Sequence, residues 1–142
     1  MPEQLMEDSL LSTTKKNLLD YFETHDVKYV AEDAVFRNLS TGESYKGRAE
    51  IKGMLHYIYH VAFDARAEAV NHIITEDHAM LEGYFKGRHI GDLPGLAATN
   101  KEVDVPLCVT YDLKNGLIQE ARIYMMTDVL NRQLAMATPS ES

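Results

Sequence analysis

The sequence predicts an α+β fold in which a curved antiparallel sheet wraps around N-terminal helices and leaves a cone-shaped pocket. Three observations predict it. Apolar residues recur at helical spacing over Glu3 to Phe22 and again over Arg48 to Ala62. From Ala65 onward the apolar period changes to two. The strands written in that second pattern are joined by loops and turns, so they pair as an antiparallel meander rather than through helical crossovers. A strongly twisted sheet curls around helices on its concave side, and the open end of such a half-barrel is a natural ligand site.

The elements follow in order. Leu5, Leu10, Leu11, Leu18, Leu19 and Phe22 give the first helix its stripe, interrupted by a polar patch between Leu11 and Leu18. Asp26 to Ala31 is read as a short second helix. "AVFRN", Ala34 to Asn38, reads as a strand, Thr41-Gly42 as a turn, and a short strand is expected before Gly47. Ile51, Leu55, Ile58 and Ala62 stripe the helix from Arg48 to Ala62. Strands are expected over Ala65 to Ile74, His78 to His89, Asp104 to Tyr111 and Leu117 to Met126. "IGDLPGLAATN" is a glycine- and proline-marked loop, Pro106 suggests an edge or a bulge, and Asn115-Gly116 signs a tight hairpin. Val129 to Ala135 closes as a helical turn or strand end. The whole is one domain over 1–142, with its core at about 8–135 and a frayed tail at 136–142.

Composition narrows the function classes. Apolar residues make up 45% of the chain, enough for a packed core. The formal charge of −8 repels phosphate backbones, so nucleic acid is not an expected partner. The one cysteine, Cys108, forms no intrachain disulfide, reads as a small core residue and fits a reducing, cytoplasmic setting. There is neither a secretory signal nor a run of eighteen apolar residues, so no membrane association is expected. There is no phosphate loop, dinucleotide fingerprint or Cys-x-x-Cys, and no cofactor is expected. His56 and His60 stand one helical turn apart without a third ligand nearby, so no metal is expected either.

The candidate site residues come from strand faces. Along His78 to His89 one face holds Met80, Glu82, Tyr84, Lys86 and Arg88. The other holds Ala79, Leu81, Gly83, Phe85, Gly87 and His89. The second is the more apolar and is expected to face the helices, with His89 at the pocket end of the wall and suited to acid–base work. Along the last strand, Glu120, Arg122, Tyr124 and Met126 oppose Ala121, Ile123 and Met125. The polar row either lines the pocket or lies on an outer, dimer-forming surface, and one strand's periodicity does not choose between them. In the first case Arg122 holds an anionic oxygen and Tyr124, about 7 Å along, donates to it. In the second Arg122 pairs with Glu120 and organises the sheet surface. His60 has a sufficient reason to sit near a helix C-terminus, and a pocket role is the alternative.

"YKGRAEIKGML", "GYFKGRHIG", "TNKEVDVP" and "NGLIQEARIYMMTDVLNRQL" together resemble the SnoaL-like polyketide cyclases. These belong to the cystatin-like group of ketosteroid isomerases and nuclear transport factor 2. The resemblance covers about residues 8 to 135. It implies a pocket for an apolar carbonyl compound and cofactor-free proton transfer of the cyclase or isomerase type. The alternatives are a non-catalytic binding or interaction module of the same fold and, below that, epoxide hydrolysis. The last needs two carboxylates around a water, from Glu82, Asp104, Glu120 or Asp128. The resemblance marks His89, between Gly87 and Gly91, as the pocket-facing histidine. It leads one to expect an acid four residues after Arg122 and a carboxylate at the end of the first strand, where this chain has Met126 and Asn38. The expected catalytic set is therefore His89, Arg122, Tyr124 and Asp128, with Asp128 either orienting or replacing the missing acid. Phe36, Asn38, His60, Phe85 and Met126 are the expected ligand contacts. A homodimer is expected by analogy with the group.

Overall fold

The computed structural model describes the backbone of residues 3–135 and the side chains of residues 9–135. The expected frayed tail at 136–142 lies outside the described residues, as does the side chain of Leu5 in the first helical stripe. Helix α1 (Glu3–Thr24) leads through a 3-10 turn (Val27–Tyr29) into β1 (Val30–Asn38) and β2 (Ser44–Lys46). Helix α2 (Gly47–His56) continues as a π-helical segment (Tyr57–Ala62) into β3 (Phe63–Ile74). Then come β4 (His78–His89), β5 (Glu102–Lys114), β6 (Leu117–Met125) and α3 (Thr127–Ala135). The six strands form one curved sheet in the order β2-β1-β6-β5-β4-β3. This is the expected α+β architecture. The sheet is mixed, because β1 runs parallel to β6 while every other pair is antiparallel.

Four local expectations need correction. Asp26 to Ala31 is a single 3-10 turn, begun by the Asp26 side chain accepting the Lys28 N–H at 2.9 Å, and Ala31 already lies in β1. The helix from Arg48 is α-helical only to His56 and π-helical beyond, a form that often marks functional sites. Pro106 is not at a bulge and β5 is not an edge strand, since it lies between β4 and β6, but Pro106 stands where the ladder with β6 ends and the start of β5 is free on that side. It is tolerated because β6 ends there. The Met126 N–H donates to the Pro106 carbonyl at 3.1 Å, and the return bond that a proline lacks would fall beyond the last paired residue, Met125. Met126 and Asp128 do not continue the strand face of Arg122, because the chain turns into α3 at Thr127.

One sheet face carries the core. In β5 every odd residue from Val103 to Leu113 is buried, and in β4 Ala79, Leu81, Gly83, Phe85 and His89 are. Against them pack Leu18 and Tyr21 of α1, Ile51 of α2 and Leu134 of α3. Glycines allow the sheet to curl this tightly. A Cβ on Gly83 would stand 2.2 Å from the Glu68 carbonyl oxygen, one on Gly87 2.2 Å from that of Asp64, and one on Gly91 2.2 Å from that of Val61. At four-residue spacing these let β3 and the π segment close onto β4. Helix α3 caps the free start of β5: the Gln133 amide accepts the Asp104 N–H and donates to the Asp104 carbonyl, each at 2.8 Å. No helix among the described residues is long and apolar enough to cross a membrane.

Candidate functional site

Alternation along β4 carries His89 to the inner face, and its pairing with Phe63 sets the two rings 5.1 Å apart. Apart from tyrosines, Thr14 and His89 are the buried polar side chains among the described residues. Thr14 is satisfied by the Leu10 carbonyl at 2.7 Å. His89 is half satisfied. Its Nδ1 accepts the Thr99 N–H at 3.1 Å and lies 2.9 Å from the Thr99 hydroxyl. Its Nε2 is buried with no hydrogen-bond partner among the described residues. Because a backbone N–H points at Nδ1, that nitrogen must present its lone pair, so the neutral ring carries its proton on Nε2. Protonating Nδ1 as well would set two N–H groups against each other. The sequence suggests His89 as base or acid, and the loop after β4 leaves its Nε2–H as a buried hydrogen-bond donor.

An unbroken series of rings runs from His89 across the inner face. Phe63 meets Phe85 edge-on at 5.1 Å, Phe85 lies 5.4 Å from Tyr59, and Tyr59 stacks on His25 at 4.5 Å. His25 is edge-on to Tyr21 at 5.5 Å, and Tyr21 to Tyr111 at 6.2 Å. Burial raises the pKa of the Tyr21, Tyr59 and Tyr111 hydroxyls, so they remain protonated. Burial, helped by nearby His60, lowers that of His25 to about 4, which leaves it a neutral imidazole. Among the described residues, neither the His25 ring nor the three hydroxyls have a hydrogen-bond partner. This interior therefore combines packed aromatic rings with several uncharged polar groups, and among the described residues it buries no carboxylate, ammonium or guanidinium. Of the sequence-derived candidates, His89, Phe85 and Phe36 belong to it, Phe36 lying 6.5 Å from Tyr21.

The remaining candidates lie elsewhere. Arg122 and Tyr124 pair with Thr110 and Cys108 on the sheet face turned away from the helices. There Arg122 makes a two-pronged bond to Asp112 at 3.0 and 2.8 Å, and also donates to Glu120 at 2.6 Å and Thr110 at 3.1 Å. This pairing raises the arginine pKa and lowers that of Asp112. The Asn38 side chain accepts the Ser40 and Thr41 N–H groups and holds the turn after β1. His60 is exposed, 5.5 Å from the ring of His56. Met126 is exposed, and Asp128 pairs loosely with Arg132 on the surface of α3. The polar row of β6 is therefore a surface network. Arg122→Ala is expected to lower stability by about 1 kcal/mol, the size of a partly exposed ion-pair cluster, as read by urea titration.

A groove of about 550 Å³ also opens on the outer face, between Asp64, Arg66, Lys86, Arg88, Glu102 and Asp104. Its charges partly satisfy one another, as Arg88 does with Glu102 at 3.1 Å. No group of three or more His, Cys, Asp or Glu among the described residues is placed to hold a metal ion.

Residues 16–134 match the family profile of SnoaL-like polyketide cyclases. A comparison with curated proteins found no match. Solved structures share the fold at low sequence identity. A protein from Jannaschia sp. CCS1 assigned to the SnoaL-like polyketide cyclases has 14% identity over 91% of this chain and 96% of that one, with a TM-score of 0.76. A phenazine biosynthesis-related protein from Pseudomonas aeruginosa has 16% identity over 94% of this chain and 92% of that one, with a TM-score of 0.77. A protein with a ketosteroid isomerase-like fold from Catenulispora acidiphila DSM 44928 has 15% identity over 89% and 97%, with a TM-score of 0.69.

Proposed function

The chain belongs to the SnoaL-like polyketide cyclase family, and on that premise we propose that its interior receives an apolar, ring-bearing carbonyl compound whose oxygen accepts the His89 Nε2–H. The observation that carries this reading is the orphaned Nε2 of a fully buried histidine. A buried donor without a partner costs about 1–3 kcal/mol, and a ligand oxygen removes that cost. The ring series from Phe63 to Tyr59 supplies flat apolar walls for the rest of the molecule.

The chemistry follows from the donor. A hydrogen bond to a carbonyl oxygen draws electron density from the neighbouring carbon, acidifies its C–H and stabilises the enolate oxygen when that proton leaves. No proton is lost from His89 in doing so. This is the electrophilic half of a cyclase- or isomerase-type proton transfer. A second reading is supported by the absence of any buried carboxylate among the described residues: the chain binds such a compound without turning it over.

One experiment tests both. Wild-type protein and His89→Phe are titrated calorimetrically with para-acetylbiphenyl, a flat methyl ketone. His89→Phe is expected to weaken binding about tenfold, the equivalent of one buried hydrogen bond; equal affinities would contradict the site. In heavy water, protein-dependent deuteration of the methyl group indicates proton transfer, and its absence indicates the binding module.

A further inference from the structure

We infer that His25 forms a second polar subsite, at the far end of the ring series from His89, so that the natural ligand carries a second hydrogen-bonding group besides its carbonyl. This rests on the reading of the interior given above.

His25 follows α1 with φ of 54°, its N–H donating to the Tyr21 carbonyl at 2.8 Å. That is the left-handed position closing a helix, where glycine or asparagine fits best and a larger side chain costs roughly 1 kcal/mol. A histidine there needs a reason in its ring. The ring is held on two sides, stacked on Tyr59 and edge-on to Tyr21. It is half-buried, and neither nitrogen has a hydrogen-bond partner among the described residues. The stack thus fixes a partly desolvated group with one donor and one acceptor, and leaves both unused by the protein.

Its position defines the ligand. Three rings, Tyr59, Phe85 and Phe63, separate His25 from His89. The molecule that meets both imidazoles is elongated and rigid, with a carbonyl toward His89 and a hydroxyl or second carbonyl toward His25. It is also uncharged, since no buried ionic side chain among the described residues would balance a charge.

The test uses the full chain and two probes, para-acetylbiphenyl and para-acetyl-para′-hydroxybiphenyl, measured by calorimetry. The added hydroxyl is expected to tighten binding to the wild type at least fivefold. His25→Leu should erase that gain while keeping the affinity for the plain ketone, and His89→Phe should weaken both probes. His25→Gly, which relieves the left-handed strain, should lose the same gain and guards against a folding defect in the leucine variant. No gain in the wild type, or a gain that survives both His25 variants, overturns the subsite while leaving the His89 site standing. Failure of the wild type to bind either ketone overturns the His89 site, and this inference with it.

Discussion

Gly87→Ala is expected to destabilise the chain by about 3 kcal/mol or more, a large share of the roughly 5–15 kcal/mol that holds a domain folded. The new methyl carbon would stand 2.2 Å from the Asp64 carbonyl oxygen and 2.5 Å from both Cα and Cβ of Ala65. Two of those three atoms are backbone, so no side-chain rotation relieves the clash and β3 must move off β4. The consequence reaches the site, because the pairing of Phe63 with His89 and of Ala65 with Gly87 belongs to the same ladder. Gly53→Ala is the control. Nothing lies within 4 Å of its added carbon, and in the interior of α2 it should gain about 0.5–1 kcal/mol. Denaturant midpoints of the two variants should therefore move in opposite directions. A Gly87→Ala midpoint equal to that of the wild type would contradict the close crossing of β3 and β4.

The second large effect is a pH dependence centred on His25. Its pKa is near 4 in the folded chain against 6.5 when unfolded, chiefly through desolvation. Between those values the unfolded state binds the proton and the folded state does not, so stability rises with pH across this window. The full contribution is about 3 kcal/mol, present above 6.5 and lost progressively as pH falls toward 4. Stability measured by urea titration from pH 4 to 7 should show this slope in the wild type and lack most of it in His25→Leu. Asp112, whose pKa is lowered by Arg122, loses its contribution at more acid pH and leaves the window largely clear. Identical slopes in the two proteins would contradict a desolvated His25.

The fold was legible because its signals are periodic. Alternation from His78 to His89 identified both the strand and its buried face, and the switch of period near residue 63 separated helices from sheet. The parallel pairing of β1 with β6 was not legible, since that contact joins segments about 85 residues apart and leaves no local pattern. Of the proposed site, only His89 and the buried face around Phe85 were legible. The row Glu120-Arg122-Tyr124 could be placed only through its neighbour. Thr110 and Asp112 share its face, and they oppose the uniformly buried Val109, Tyr111 and Leu113. His25 escaped notice and Tyr59 reads as helix packing, because a lone imidazole after a helix and a tyrosine beside an apolar stripe look ordinary. Their meaning depends on the absence of hydrogen-bond partners, which no spacing encodes. The glycines at 83, 87 and 91 were visible, but their four-residue spacing acquires its sense only from the carbonyls they face.

The measurement closest to the central claim is a long-range nitrogen–proton correlation spectrum of the histidine side chains, with His89 assigned by its loss in His89→Phe. The account predicts a neutral ring with the proton on Nε2 and a lone pair on Nδ1, and a shift of the Nε2–H signal when para-acetylbiphenyl is added. A proton on Nδ1, or an Nε2 signal indifferent to the ketone, would contradict the assignment of His89 as the donor that reads the ligand.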